Sequence, residues 1–190
     1  MEQIKVRVNK ELKLISYAEH WHTANCLLDR ARSEKKGSYH QYLACITFVA
    51  FTLEAFLNHI GEGLFKSWQD LETLNVRGKI NIIAEKLNIE INYGTLPWQI
   101  VPELVAFRNK VAHGKNDRLF EEVVLPQDKY DEYLNEFLKS DWQKTATLAN
   151  AEKFIKNVNE LCEIVWVAAG YEKATIFTLS SQSGSSSLEP

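Results

Sequence analysis

Proline and glycine are scarce in this sequence, and long stretches of the chain contain neither. The 190 residues include four prolines and eight glycines, whereas 45% are hydrophobic and 25% are charged. Because Pro and Gly most often interrupt regular structure, their scarcity favours long helices over a turn-rich β fold. The composition is that of an ordinary globular protein, and the length predicts one domain with its own core.

Cysteine is also scarce, and the three cysteines lie far apart. Cys26, Cys45 and Cys162 form neither an even set nor a pair with metal-binding spacing. Both a disulfide framework and a cysteine-based zinc site need closer or paired residues. We therefore expect three buried thiols in a protein of a reducing compartment.

The sequence has no excess of positive charge. Lys and Arg total 22 against 25 Asp and Glu, which gives a formal net charge of −3. A protein that coats nucleic acid with its whole surface is usually basic. Any contact with nucleic acid is therefore expected to be local.

Neither a secretion signal nor a membrane span is expected. The N-terminus lacks the apolar run of a signal peptide. The most apolar stretch, Tyr42 to Leu57, is shorter than the ~20 residues of a transmembrane helix and contains Glu54. We expect a cytoplasmic protein without membrane contact.

Apolar residues recur at helical spacing through most of the chain. This pattern predicts an all-α fold, an up-and-down bundle of about five to six helices. The stretch from Tyr42 to Ile60 is apolar on nearly every side, which predicts the buried central helix. We expect Gly61 and Gly63 to end this helix.

The remaining patterns divide the chain into an arm, a domain and a tail. Alternating Ile4, Val6 and Val8 predict a short strand or extended arm over 1–10, followed by a single helical domain over 11–172. The polar, serine-rich segment 173–190 is expected to be disordered or a linker. Further helices are predicted over 11–36, 68–74, 76–87, 100–113, 126–138 and 142–169, with an extended stretch over 119–125.

One helix end combines an arginine, an amide and a histidine. The segment Phe107-Arg-Asn-Lys-Val-Ala-His-Gly114 follows an apolar pattern with Pro102 near its start and Gly114 just past its end. This asymmetry is expected of a helix. Asn109 and His113 share a face, whereas Arg108 and His113 are about 140° apart at roughly 100° per residue. The three side chains are therefore candidates to flank one groove.

Basic residues and one carboxylate extend this candidate site. Lys110, Lys115 and Arg118, together with Arg108, form a modest basic patch, which is where a local contact with nucleic-acid phosphates is expected. Glu54 stands alone in the apolar central helix, where an ionised carboxylate without a partner costs several kcal/mol. We predict that Arg108 pairs with it.

Simpler interpretations of both features remain open. Arg and His near a helix C-terminus are favourable because the helix dipole is negative there. Glu54 could instead lie on a narrow exposed stripe with Asn58 and Gly61.

Motifs of cofactor and metal enzymes are not found. The sequence has no Gly-rich phosphate loop and no CxxC, HExxH or GxSxG motif, so neither a cofactor nor a metal ion is expected. His59, beside Asn58, is interpreted as a core or edge histidine.

The segment Arg108-Asn-Lys-Val-Ala-His113 resembles the signature of the HEPN superfamily: Arg, four to six residues, then His, often with a polar residue after the Arg. The apolar helix with an acidic residue, Leu53-Glu-Ala-Phe-Leu-Asn-His-Ile60, is also similar to one seen in many such domains. As a pattern, the resemblance covers about residues 11 to 170. It implies an α-helical bundle.

The resemblance also implies a metal-independent endoribonuclease that acts as a homodimer. The RNA 2′-hydroxyl would attack the adjacent phosphate and leave a 2′,3′-cyclic phosphate and a 5′-hydroxyl. His113 would be the acid/base, Arg108 would hold the phosphate, and Asn109 would orient His113 or the phosphate. The family includes toxins, which would imply an antitoxin partner, and phage-defence proteins.

One position departs from the family pattern. Some family toxins carry a Tyr two residues after the His, modified by an adenylylating antitoxin, but Lys115 stands here. Many family members are non-catalytic modules that bind a nucleotide, RNA or a protein. That alternative stays open, as does a purely structural helical adaptor.

Overall fold

The computed structural model describes residues 6–116 and 118–188, and this part of the chain is mostly helical. It contains eight α-helices and one two-stranded sheet, so the prediction of a largely helical fold is confirmed, although the helices are more numerous than predicted and the sheet was not expected. The elements are β1 (Val6–Lys13), α1 (Ser16–Ser33), α2 (Ser38–Leu64), α3 (Trp68–Leu71), α4 (Val76–Leu87), α5 (Ile100–His113), α6 (Tyr130–Leu134), α7 (Asp141–Thr145), α8 (Leu148–Ala168) and β2 (Ser181–Leu188).

Helix α2 is the centre of the bundle, as its all-round apolar surface predicts. It packs against α1, α4, α5 and α8. Ile46, Leu53 and Phe56 are among its fully buried side chains. The buried hydroxyl of Thr52 donates a hydrogen bond to the Phe48 carbonyl at 2.8 Å, so it is satisfied within the helix. Most of the stability of α2 therefore comes from packing of its apolar surface.

The predicted end of α2 at Gly61 is wrong, because the helix continues to Leu64. Gly61 serves a packing purpose instead. A Cβ atom at this position would lie 2.2 Å from the Trp68 ring, and Trp68 is buried. Only a glycine lets the indole of α3 lie directly on the α2 backbone.

At 27 residues, α2 is also longer than the predicted apolar stretch. Its length and mean hydropathy of 1.6 would suffice to cross a membrane. Half of its most apolar window is buried inside the bundle, as in the core helix of a soluble protein. This helix is therefore only weak evidence for a membrane span.

The predicted long helix over 142–169 is divided into α7 and α8. Ala146 leaves the helical conformation with a ψ of 74°, and Thr147 caps α8 by accepting a hydrogen bond from the Asn150 amide at 3.3 Å. The Asn150 side chain donates to the Thr145 carbonyl at 3.0 Å. These side chains satisfy the backbone groups that a continuous helix would have paired, which favours the break.

The two ends of the described chain pair with each other. β1 and β2 are antiparallel, in a register that pairs Val6 with Leu188 and Lys13 with Ser181. The extended N-terminal segment predicted over 1–10 thus continues to Lys13, and the first helix begins at Ser16 instead of residue 11. Within the segment 173–190, which was expected to be disordered, residues 181–188 form a strand. Its serines bury no apolar surface, but the ladder pairs their backbone groups. Ile4 lies outside the described residues.

Residues 118–139, which we call the arm, lie between α5 and α7. The predicted helix over 126–138 is reduced to a 3-10 turn at Gln127–Lys129 and the five residues of α6. No residue of α6 is buried. Because short helices in water depend on packing of an apolar face, the arm remains mostly irregular.

Candidate functional site

Helix α5 carries the Arg-Asn-His segment on its last two turns. It buries Ile100, Val101, Leu104 and Phe107 against the bundle. The helix ends at His113, and a Cβ atom on Gly114 would lie only 2.6 Å from the Lys110 carbonyl oxygen. Glycine is required here for this close approach rather than for a left-handed turn, since its φ is −57°.

The predicted pairing of Glu54 with Arg108 is confirmed. The Arg108 guanidinium donates from Nη2 to Glu54 Oε2 at 2.6 Å, and the two side chains are 21% and 35% exposed. The pair joins the middle of α2 to the end of α5. Because both groups are partly shielded from water, their attraction is stronger than that of a surface ion pair.

A second cation, Lys79 of α4, contacts α2 one turn beyond Glu54, and the sequence analysis did not identify it. Lys79 of α4 is 3% exposed and donates from Nζ to Asn58 Oδ1 at 2.8 Å. Asn58 lies four residues after Glu54, so the two polar groups share a face of α2. The four-residue spacing of Glu54 and Asn58 indicates that polar side chains share this helix face, but it does not identify Lys79 as the hydrogen-bond donor. Glu54 and Asn58 are half-buried and Gly61 is buried, so the three residues do not form the exposed stripe of the alternative interpretation.

Asn109 and His113 lie on the solvent side of α5. Both are exposed, and neither side chain forms a hydrogen bond or ion pair with another residue in ranges 6–116 and 118–188. Helix geometry places His113 about 140° from Arg108 around the axis. A single chain therefore does not enclose Arg108 and His113 in one pocket.

The candidate RNA-binding cations surround this helix end. Lys110, Lys115 and Arg118 are all exposed. Lys110 also lines a cavity of about 300 Å³ formed with the arm and the start of α7. The cations are therefore accessible to a polyanion, and at exposed positions each contributes mainly through counterion release.

The cysteines differ in exposure, which corrects one expectation. Cys45 and Cys162 are buried, but Cys26 is exposed on α1. Burial raises the pKa of the Cys45 thiol to about 12 and raises that of Cys162 well above its usual value. These two thiols are therefore unreactive groups of the core.

His59 lines a second and larger cavity, between the β1–α1 connection and the end of α2. Its volume is about 830 Å³, and Glu62, Gln69 and Lys66 also line it. Partial burial lowers the pKa of His59, and its ring stacks on Trp166 at a centroid distance of 6.1 Å. This packing agrees with the interpretation of His59 as an edge histidine.

Groups that could hold a metal ion are not found in the described part of the chain, where no three His, Cys, Asp or Glu side chains cluster suitably. The chemistry available at the end of α5 is thus that of a positioned guanidinium and an accessible imidazole. Comparison of the chain with protein-family models, curated proteins and solved structures found no match.

Proposed function

We propose that this protein is a HEPN-type, metal-independent RNA endonuclease of a toxin or phage-defence system. The observation that carries the proposal is the Glu54–Arg108 ion pair at 2.6 Å, which fixes the arginine of the motif to the central helix. The accessible His113 ends the same helix. A guanidinium held in place and an imidazole open to substrate are groups that can stabilise the phosphate and transfer a proton when a 2′-hydroxyl cleaves its own phosphodiester.

The arginine retains capacity to bind a phosphate. A guanidinium has five N–H donors, and the described contacts of Arg108 use Nη2 toward Glu54. The other donors could contact the non-bridging oxygens of a phosphate, where charge grows in the transition state. Glu54 would then act as a positioning residue, because it orients the guanidinium without contacting RNA.

His113 would transfer the proton. The 2′-oxygen forms a bond to phosphorus while the bond from phosphorus to the 5′-oxygen breaks. One imidazole accepts the 2′-hydroxyl proton and a second donates a proton to the leaving 5′-oxygen, which gives a 2′,3′-cyclic phosphate and a 5′-hydroxyl. Each chain offers one motif histidine, so a homodimer would provide both. Asn109, four residues before His113, is placed to orient that imidazole or the phosphate.

The wider setting belongs to the same proposal. The protein would act on RNA in the cytoplasm, without a cofactor, and a partner antitoxin would restrain it. Lys110, Lys115 and Arg118 would hold the RNA backbone beside the site. Lys115 stands where some family toxins carry the modified Tyr, so this restraint would not use adenylylation.

The test is cleavage of total cellular RNA in excess chelator by wild-type protein and by His113→Ala. Loss of a proton-transfer group typically lowers the rate by ~10²–10⁴-fold. His40→Ala is the matched control, because His40 is also exposed but lies at the start of α2. Products should resist 3′-end ligation until the cyclic phosphate is removed. Undiminished cleavage by His113→Ala at equal purity would refute the role of this residue.

A second candidate is a non-catalytic module of the same type that binds a nucleotide, RNA or a protein. The observation that favours it is that Arg108 is already paired with Glu54 while Asn109 and His113 face solvent. It predicts binding that is lost in Arg108→Ala, with no RNA cleavage by wild-type protein at any protein concentration.

A further inference from the structure

The cavity of about 830 Å³ that His59 lines lies where the start of α1, the end of α2 and α3 meet, and we call it the His59 cavity. Its walls come from within residues 14–17, 55–62 and 65–72. Cavities of roughly 300–1,000 Å³ are typical of small-molecule sites. Arg108 and His113 are not among its lining residues, so a ligand there would not occupy the candidate RNA site.

The first turn of α1 presents two backbone donors to this cavity. The amides of Ser16 and Tyr17 have no hydrogen-bond acceptor within the described chain, and Ile15 precedes the helix without a side-chain cap. Helix α1 has 18 residues, and the positive end of its dipole lies at this turn. Free amides at a helix N-terminus bind an anionic group such as a carboxylate.

A buried indole is an independent indication of a ligand. Trp68 lines the His59 cavity and is 5% exposed, and its Nε1 has no hydrogen-bond partner in the part of the chain that the structure describes. The benzo half of the ring lies against Gly61, so the pyrrole half, which carries the N–H, is turned away from the α2 backbone and toward the cavity. A buried donor left unpaired is destabilising, and buried indoles usually have a partner. An anionic oxygen in the cavity would satisfy this donor.

The same cavity also carries negative charge. Glu62, Glu72 and Lys66 line it, and none of the three forms an ion pair within residues 6–116 and 118–188. The two carboxylates would repel a ligand that is only anionic, such as a phosphate monoester. They would attract a ligand whose anionic group is accompanied by an ammonium group.

The two kinds of charge lie close together. Glu62 follows His59 by three residues, so the two side chains are neighbours on the surface of α2. The His59 ring contacts the Tyr17 ring of the first α1 turn at a centroid distance of 5.0 Å. The carboxylate of Glu62 and the free amides of α1 therefore flank one imidazole, which suits a small molecule that carries both charges.

Aromatic rings form another part of the lining. Phe65 and Trp68 stack with their centroids 5.9 Å apart and an interplanar angle of 28°, and both line the cavity. Aromatic side chains attract further aromatic rings through stacked or edge-to-face contacts. The apolar part of the ligand is therefore expected to be aromatic.

We propose that the His59 cavity binds a free α-amino acid with an aromatic side chain. Its carboxylate accepts hydrogen bonds from the amides of Ser16 and Tyr17 and from Trp68 Nε1. Its ammonium pairs with Glu62, and its ring lies against Phe65. The two opposite charges of such a zwitterion account for a cavity that combines a helix N-terminus with carboxylates. The inference does not rest on the proposed function.

The experiment is isothermal titration calorimetry of the full chain with L-phenylalanine and with two analogues that each lack one charged group. 3-Phenylpropionate lacks the ammonium, and 2-phenylethylamine lacks the carboxylate. Each analogue should bind at least about 10-fold more weakly than L-phenylalanine, because hydrogen bonds to charged groups are the strong ones. No RNA is present, so the outcome does not depend on the proposed nuclease.

Two substitutions of Ser16 test the backbone donor. Ser16 is exposed and is the first residue of α1, a position where proline fits and removes an N–H that the helix does not use. Ser16→Pro should weaken L-phenylalanine and 3-phenylpropionate by about 5-fold or more and leave 2-phenylethylamine unchanged. Ser16→Ala is the matched control, because it also lacks the hydroxyl but keeps the N–H. Circular dichroism checks that the helices persist.

Glu62→Gln tests the contact with the ammonium. It should weaken L-phenylalanine and 2-phenylethylamine by about 5-fold or more and leave 3-phenylpropionate unchanged. Glu90→Gln is the matched control, because Glu90 is an exposed carboxylate that does not line the cavity. This variant should bind all three compounds as wild type does.

The indole proton of Trp68 tests the third donor. It is observed by NMR and assigned with Trp68→Phe. The proton should shift when L-phenylalanine or 3-phenylpropionate binds. 2-Phenylethylamine has the same ring but no carboxylate, so it should cause a much smaller shift.

Several results would overturn the amino-acid site. L-phenylalanine would fail to bind at about 10 mM, or would bind no more tightly than its two analogues. Ser16→Pro would bind like Ser16→Ala, or Glu62→Gln like Glu90→Gln. A Trp68 indole proton that does not respond to bound L-phenylalanine would likewise overturn it.

Discussion

Removal of the Glu54 carboxylate is the perturbation that most directly tests how the site is held. Glu54→Ala deletes the acceptor of the 2.6 Å contact and leaves the Arg108 guanidinium at the α2–α5 contact without its counter-charge. Arg108→Ala does the converse. Since the two residues are 54 positions apart, their pairing forms only when the two helices have packed.

The expected size follows from the exposure of the pair. Ion pairs on the surface contribute about 0.2–1 kcal/mol, and removal of one partner from a fully buried pair costs about 3–5 kcal/mol. With side chains 35% and 21% exposed, Glu54 and Arg108 lie between these limits. We expect a coupling free energy of about 1–2 kcal/mol.

The assay is a double-mutant cycle in urea, with Glu54→Ala, Arg108→Ala and the double variant at one protein concentration. Each kcal/mol should also lower Tm by about 2–4 °C for a chain of this length. The control is the Glu103–Lys153 pair of α5 and α8, whose side chains are 44% and 39% exposed. Its coupling should stay below about 1 kcal/mol.

Substitution of Glu54 is also expected to affect function. Glu54→Gln should lower RNA cleavage without removing any group that contacts the phosphate, because Arg108 loses its anchor. A coupling indistinguishable from zero, or no greater than that of the control pair, would show that the ion pair does not hold Arg108. Glu54 would then have no positioning role.

Three further predictions concern the fold. Gly61→Ala should destabilise the protein by about 1–3 kcal/mol because its Cβ meets the Trp68 ring at 2.2 Å, as overpacked cores do; Gly63→Ala, whose Cβ would make only an ordinary contact with the Tyr171 hydroxyl at 3.7 Å, should gain up to about 1 kcal/mol of helix propensity, and equal urea midpoints for the two variants would contradict this. A thiol reagent at pH 8 should label Cys26 rapidly and the two buried cysteines only after unfolding; fast labelling of three thiols in the native protein would contradict the burial. Burial raises the pKa of Glu163, but hydrogen bonds from Lys173 and Asn159 outweigh this effect and lower the pKa overall. The stabilising contribution of Glu163 is therefore complete above pH ~4.5 and is lost as pH falls through the lowered pKa. The difference in unfolding free energy between wild type and Glu163→Gln should accordingly disappear in acid.

The parts of the fold that the sequence predicts well are those decided by burial. The apolar run around Leu53 and Phe56 predicts a central helix because no other arrangement hides so much apolar surface. The same reasoning predicts a cation for Glu54, since a carboxylate in that helix needs a counter-charge. Arg108 was identifiable because it follows Leu104 by four residues, and so lies near the end of α5 on the side that faces the bundle.

The parts of the fold that the sequence does not predict depend on local hydrogen bonds of the backbone or on the close approach of a side chain to the backbone. Gly61 has the spacing of a helix end, and only the position of the Trp68 ring reveals that it permits a contact. The break at Ala146 follows from the hydrogen bonds of Asn150 and Thr147, which apolar periodicity does not register. The strand Ser181–Leu188 gains backbone partners alone, so its composition resembles that of a disordered tail.

The arginine and the histidine of the motif differ in whether they have a partner within the chain. Arg108 has one, because the carboxylate of Glu54 forms an ion pair with its guanidinium. His113 has no side-chain partner within the described chain, where its imidazole is exposed. The proposed cleavage uses two imidazoles, and a second copy of the chain would supply the second one. Cleavage per chain should therefore rise with the fraction of dimer when the protein concentration is varied, and a rate per chain that does not depend on concentration would contradict a site shared between two copies.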